Sequence, residues 1–455
     1  MVPSLACDRE SVMAPRLLAI ALSAIALPAL AGIAEAADCR VGVYRMTDGG
    51  IVDIAPTDGD TLRWRNFDGT TGLLTRTGGD SWTSSLGWTG RPDGKTVQFS
   101  ECALGRIHFD GHAGRRVDLD VRESTFVSHG TTLSGRLLLP KGTARVPVVV
   151  LVHGAEHDSA REFNPLQRIL PAAGVGAFVY DKRGTGLSGG AYTQNFDLLA
   201  DDAVAAMQEA RKLAGSRAGR VGYQGGSQAG WVVPLAVNRA TVDFAIVGFG
   251  LAVSVIDEDQ QEVAIELREK GYSPPEISRA LQVASAAEIV IASGFREGFR
   301  EFDALRSLYK DARWYKDLHG NYTYMLLPLT EAELRALAEK FSWETPFFYD
   351  PMPALHANGT PQLWILGQED YEAPSMETSY RIKSLIADGR PLTLAVFPGA
   401  EHGMTLFETD PATGERLSTR FAPGYFAMIR DYARDGKLGG AYGNAALTRP
   451  RNAAR

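Results

Sequence analysis

The sequence predicts an α/β protein with a mainly parallel, doubly wound sheet, an inserted helical cap and a small antiparallel β domain at its N-terminal side. Three observations carry this. After Arg115, buried-strand patterns alternate with helical ones, as parallel sheets with helices on both faces require. The strand-like runs FAIVGFGLAV and QLWILG are separated by about a hundred residues of mostly helical periodicity. Residues 41–109 instead show short β-favouring runs (VGVYRM, TLRWRNF, SWTSSLGW, KTVQFS) broken by DGG, DGD, GGD and PDG turn signals.

With 455 residues, 45% hydrophobic and 22% charged, the chain has enough apolar material for a large core and several domains. The net charge of −7, without a basic run or aromatic–basic interleaving, argues against a nucleic-acid partner. Arg16, the apolar stretch 17–33 and the small-x-small string Ala34-Glu35-Ala36 read as a secretory signal over residues 1–36. The stretch is short for a span and contains Pro28, so a secreted or periplasmic protein without stable membrane insertion is expected. Cys7 falls in that signal, which leaves Cys39 and Cys102 as an expected disulfide of the exported chain.

The expected domains are the signal (1–36), the small β domain (37–112), the catalytic α/β domain (113–253 and 358–440), the helical cap (254–357) and a flexible tail (441–455). The α/β domain opens with an antiparallel pair, VDLDVRESTFV and TTLSGRLLLP. VPVVVLVHG, GVGAFVYDKRGTG and AGRVGYQGGS follow as buried strands, their continuous apolar runs matching burial on both faces. REFNPLQRILPAAG and FDLLADDAVAAMQEARKLAG lie between them with helical spacing.

The segment Gly222 to Trp231, GYQGGSQAGW, takes a strand into a helix through small residues. So sharp a reversal strains its central residue and is sterically possible only with little side chain two residues before and two after. Gly225 and Ala229 meet that condition, and Ser227 then sits at a helix N-terminus, where backbone N–H groups favour negative charge. Taken alone, such a turn equally suits phosphate binding or close packing.

The segment resembles the nucleophile elbow G-x-S-x-G of the α/β-hydrolase superfamily, with Ala229 at the second glycine position. Val152-His153-Gly154-Ala155 resembles the family's H-G turn, which implies Ala155 and Gln228 as oxyanion-hole donors and a structural His153. The string from Tyr180 to Ser188 resembles the D-x-R-G-x-G-x-S loop, implying structural roles for Asp181 and Arg183. LWILGQED followed by Pro374 resembles the acid turn and implies Asp370, with Glu369 and Asp257 as rivals. P-G-A-E-H-G resembles the histidine loop and singles out His402 among eight histidines. Ser227, Asp370 and His402 stand in the chain order of this fold, each after its own strand.

The resemblance implies a serine hydrolase acting through an acyl-enzyme on a small-molecule carboxylic ester, thioester or amide. It is closest to the capped esterase, acyl-thioesterase and prolyl-oligopeptidase-like branches. A serine nucleophile excludes the carboxylate-based dehalogenase and epoxide-hydrolase chemistries of the superfamily. Some seventy residues of short strands cannot make the β-propeller of a prolyl-oligopeptidase-type peptidase, so an ester is expected ahead of an amide. A catalytically silent binding protein on the same fold is the alternative from another class. No zinc-ligand spacing, G-x-G-x-x-G or Walker loop is present, and no cofactor or metal is expected.

Overall fold

A computed structural model of the chain describes residues 38–338 and 344–450; the expected signal, 1–36, lies outside the described residues. Eight strands, β1 (Gly42–Met46), β2 (Ile51–Pro56), β3 (Leu62–Asn66), β4 (Thr71–Gly78), β5 (Ser81–Leu86), β6 (Pro92–Glu101), β7 (Arg106–Phe109) and β8 (His112–Arg116), form the N-terminal unit. They pair antiparallel in sequence order, and β8 returns to β1, so the expected β domain is a closed barrel without free edges. Alternate side chains point inward, where Tyr44, Ile54, Trp64, Leu74, Trp82, Phe99 and Phe109 pack together. The buried Trp64 indole donates to Ser84 Oγ at 2.7 Å. Cys39 and Cys102 are bridged, with Cα atoms 5.5 Å apart. Cys102 directly follows β6, and the barrel runs four residues past the expected boundary, to Arg116. On the chain-entropy model a bridge over this span stabilises by about 4 kcal/mol.

The second unit holds β9 (Leu119–Ser128), β10 (Thr131–Pro140), β11 (Val146–Val152), β12 (Gly176–Tyr180), β13 (Ala218–Gly226), β14 (Phe244–Gly248), β15 (Gln362–Gly367) and β16 (Leu392–Phe397). A hairpin of β17 (Thr405–Thr409) and β18 (Arg416–Phe421) comes next, and β19 (Ala446–Thr448) last. The sheet order is β19-β16-β15-β14-β13-β11-β12-β10-β9, parallel from β12 to β16 and antiparallel at both margins. Residues 441–455 are therefore not all tail: Ala446–Thr448 closes the sheet edge by pairing with β16, its backbone supplying the donors and acceptors that edge exposes.

Strand alternation divides the core in two. Val148, Val150 and Val152 of β11 face one layer, Val149 and Leu151 the other, and both are fully buried. The layers are covered by α1 (Ala160–Phe163), α2 (Leu166–Ala172), α3 (Phe196–Ala214) and α4 (Ala229–Arg239). The segment between β14 and β15 forms α5 (Val255–Glu269), α6 (Pro274–Ala292), α7 (Phe299–Tyr309), α8 (Thr323–Leu326), α9 (Glu331–Ala338) and α10 (Met352–Ala357). Ser254 starts α5 with a capping box to Asp257. The framework ends with α11 (Ser375–Ala387) and α12 (Tyr425–Asp435). Among the described residues no helix is long and apolar enough to cross a membrane.

The barrel docks on α2 through a buried ion pair. Arg168 Nε donates to Asp53 Oδ1 at 2.5 Å and its Nη2 to Oδ2 at 3.2 Å, and Asp53 is wholly buried. Removing one member strands the other charge out of water, so Asp53→Ala is expected to cost about 3–5 kcal/mol in urea unfolding. A loss below about 1 kcal/mol would show that the joint does not depend on this pair.

Candidate active site

The turn after β13 shows the expected strain. Ser227 has φ +54°, a left-handed value that a residue with a Cβ adopts only under constraint. A Cβ on Gly225 would overlap the Ala229 methyl, and one on Gly226 would enter the Phe249 ring. The Ser227 N–H donates to Gly248 O at 3.1 Å, pinning the turn to the end of β14, and α4 begins immediately after. The hydroxyl therefore stands at the carboxyl edge of the sheet.

Across β11, Ala155 lies in a loop held from two sides. Lys182 Nζ donates to Gly154 O at 2.7 Å, and Tyr192 Oη donates to Ala155 O at 2.6 Å. Burial pushes the Lys182 ammonium down to about 7, with Glu156 opposing. Among the described residues the N–H groups of Ala155 and Gln228 donate to no other group. His153 is buried with Nε2 at 2.9 Å from Asp158 O. Asp181 accepts from Ser159 Oγ and from the Arg161 and Leu187 N–H groups, and Arg183 forks onto Asp202.

After β15 and β16 the structure joins two of the expected residues directly. His402 Nδ1 lies 3.2 and 3.1 Å from the Asp370 carboxylate oxygens, with Asp370 held by the Ala373 N–H at 2.8 Å. The rivals are placed otherwise: Asp257 is spent on the Ser254 cap, and Glu369 offers Arg416 its backbone carbonyl. Ser227 makes no hydrogen bond to His402. The Phe249 ring meets the imidazole in a T-shaped contact, ring centres 4.9 Å apart. Nε2 faces Glu372 Oε1 at 3.6 Å instead.

Acids that the sequence reading did not single out surround this pair. Glu258, from the first turn of α5, is buried, and burial followed by the Glu372 charge raises its carboxyl well above the ordinary range. Glu372 is raised by burial, with His402 opposing and Asp370 adding. Burial alone would lower His402, but Glu372, then Asp370 with its hydrogen bond, then Glu258 outweigh it and push the imidazole up to about 10. The only signal in the sequence was the spacing Glu258, Glu262, Glu266, which puts three carboxylates on one helix face.

Sheet order, strained elbow and the loops after β15 and β16 define an α/β-hydrolase fold. Within it, residues 143–251 match the family model described as serine aminopeptidase, S33. No curated protein matches the chain. Among solved structures, an acylaminoacyl peptidase from Pyrococcus horikoshii aligns at 14% identity and TM-score 0.42 over 86% of this chain and 57% of its own. This chain thus spans little more than half of that relative. A Pyrococcus furiosus esterase aligns at 14% identity and TM-score 0.39 over 63% and 83%, and a Mycobacterium tuberculosis puromycin-hydrolyzing peptidase at 17% and 0.38 over 80% and 50%.

A base must be neutral to accept a proton, so with His402 in the role expected of it the acid limb of kcat/KM falls at alkaline pH. Glu372→Gln removes the largest raising charge and is expected to move that limb down by about one pH unit or more. The pH dependence of fluorophosphonate labelling reads this without a substrate. An unmoved limb would mean that Glu372 does not govern the imidazole.

Proposed function

We propose that this chain is an exported serine hydrolase that cleaves a carboxylic ester through an acyl-enzyme. Ser227 attacks the carbonyl carbon, forming the C–O bond to the acyl group, while His402 takes the hydroxyl proton. Asp370 holds the imidazole tautomer and offsets its positive charge. The N–H groups of Gln228 and Ala155 receive the oxyanion. The C–O bond to the alcohol then breaks, His402 returns the proton to the leaving oxygen, and water hydrolyses the acyl-Ser227 ester. The observation that carries this reading is the left-handed backbone of Ser227 at the N-terminus of α4, since no packing role requires a hydroxyl there.

A second reading is favoured by Glu258 and Glu372, two carboxylates beside the imidazole. A substrate bearing a protonated amine near its scissile carbonyl would favour the ionised form of both and draw Glu372 off Nε2. His402 is then released toward Ser227 and its pKa falls toward the range of a working base. An aminoacyl ester or a peptide with a free N-terminus has this chemistry, in keeping with the aminopeptidase description of the matching family model.

A fluorophosphonate should label one residue, Ser227, and Ser227→Ala should remove both labelling and hydrolysis of p-nitrophenyl esters, by several orders of magnitude. Full activity in that variant would end the proposal. Aminoacyl esters with free and acetylated amines separate the readings. A preference for the free amine of about tenfold or more, lost in Glu372→Gln, selects the second, and equal rates select the first.

Export rests on residues 1–36. Intact mass of protein recovered outside the cytoplasm should correspond to a start near Ala37 with the Cys39–Cys102 bridge formed. A mass retaining the first 36 residues would refute cleavage.

A further inference from the structure

One and two turns along α5 from Glu258, Glu262 and Glu266 lie on one face, and His319 reaches the same place from the loop before α8. One carboxylate oxygen from each glutamate and one imidazole nitrogen all fall within 4.8 Å of one another. His319 Nδ1 is 3.6 Å from Glu266 Oε1, close to the about 3.4 Å that separates two ligands of a tetrahedral zinc ion.

The cluster alone would be only an acidic patch, but Glu262 makes it more than that. It is 7% exposed, and its Oε2 is buried without a hydrogen-bond partner. A carboxylate in that position is costly unless something positive meets it. The opposing loop is built to stay in place. Asp259 accepts from the Tyr322 and Thr323 N–H groups at 2.6 and 3.3 Å and from Thr323 Oγ1 at 2.6 Å. Gly320, at φ +75°, lets the loop close on α5, because a Cβ there would come within 2.7 Å of Asp259 Oδ1 and Val263 Cγ2. The Gly320 N–H also points to Glu266 Oε2 at 3.4 Å. His319 packs flat on Tyr324, ring centres 4.3 Å apart, and its side chain is 41% exposed, which leaves a path from solvent.

We propose that Glu262, Glu266 and His319 form a binding site for a divalent transition-metal cation of the zinc class, with water completing the coordination. An imidazole with two carboxylates favours such an ion over magnesium or calcium, which take oxygen-only shells. The ion neutralises the stranded Glu262 carboxylate and fastens the 318–324 loop to α5. That loop also reaches the candidate active site, where Asn321 Nδ2 donates to Glu372 O at 3.3 Å. The role is structural, and the proposal stands whichever substrate the hydrolase takes.

Zn²⁺ titrated calorimetrically into the untagged full chain after EDTA treatment should bind at one site, with Mg²⁺ and Ca²⁺ weaker. Glu262→Gln and His319→Ala should each lower the affinity about tenfold or more. Bound Zn²⁺ should raise the thermal midpoint of the native chain and not that of His319→Ala. A simple protonated Glu262 gives the opposite pattern: no Zn²⁺ binding, or binding unchanged in both variants, and either result overturns the site. His319 is half exposed, so its variant decides the matter even if Glu262→Gln does not fold.

Discussion

The architecture of the site depends on one steric constraint, the near-contact of Gly225 with Ala229 across the reversal after β13. A parallel strand must hand its chain to a helix lying on the sheet face within a few residues, and here the turn is tight enough that the two Cβ positions compete for the same space. The cost is local strain at Ser227, and strain of this kind survives only where the surroundings over-determine it. They do so from both sides: Phe249 occupies the space that a side chain at 226 would need, and the Ser227 N–H is committed to Gly248 O. Phe249 then also meets His402, so one ring packs against both the elbow and the imidazole.

Charge is the second organising quantity. Burying several carboxylates together is unfavourable unless protons, cations or donors compensate. Around α5 the compensation differs from turn to turn. Asp259 has its three donors from the 318–324 loop and His402 balances Glu372, while Glu258 is pushed toward its neutral form. Nε2 facing Glu372 rather than Ser227 is the direct consequence of that balance. A weaker acidic field would leave the imidazole free for the hydroxyl.

Much of this was legible in the sequence because it rests on local steric rules. GYQGGSQAGW can hardly be anything but a tight strand-to-helix turn, and the period-two burial of VPVVVLV follows from a sheet covered on both faces. What escaped were features set by distant parts of the chain. The segment between the two strand-like runs reads only as helical, yet Asp259 and Glu262 on its first helix are buried, and Asp259 takes its donors from sixty residues downstream. Barrel closure needs β1 to meet β8, a pairing no local pattern encodes. Ala446–Thr448 is too short and too isolated to declare itself a strand, and only the open edge of β16 makes it one.

The barrel, which carries no chemistry in its sequence, is tied to the histidine loop by backbone bonds. The Trp88 N–H donates to Ser418 O at 2.8 Å, and the Phe421 N–H donates to Gly69 O at 2.9 Å, so β18 is fastened to the barrel. Arg63 secures this joint, donating to Gly87 O at 2.8 Å with its guanidinium over the Trp88 ring. From β18, Ser418 Oγ reaches Glu401, which also accepts from Thr405 Oγ1 at 3.0 Å. Glu401 directly precedes His402. The loop that aims the imidazole is thus gripped between its own strand and a second domain, and a loop gripped at both ends has few alternative conformations to visit. Positional accuracy at a reacting centre comes from such outer support more than from the reacting residues, whose own rotamers are only as fixed as what packs behind them.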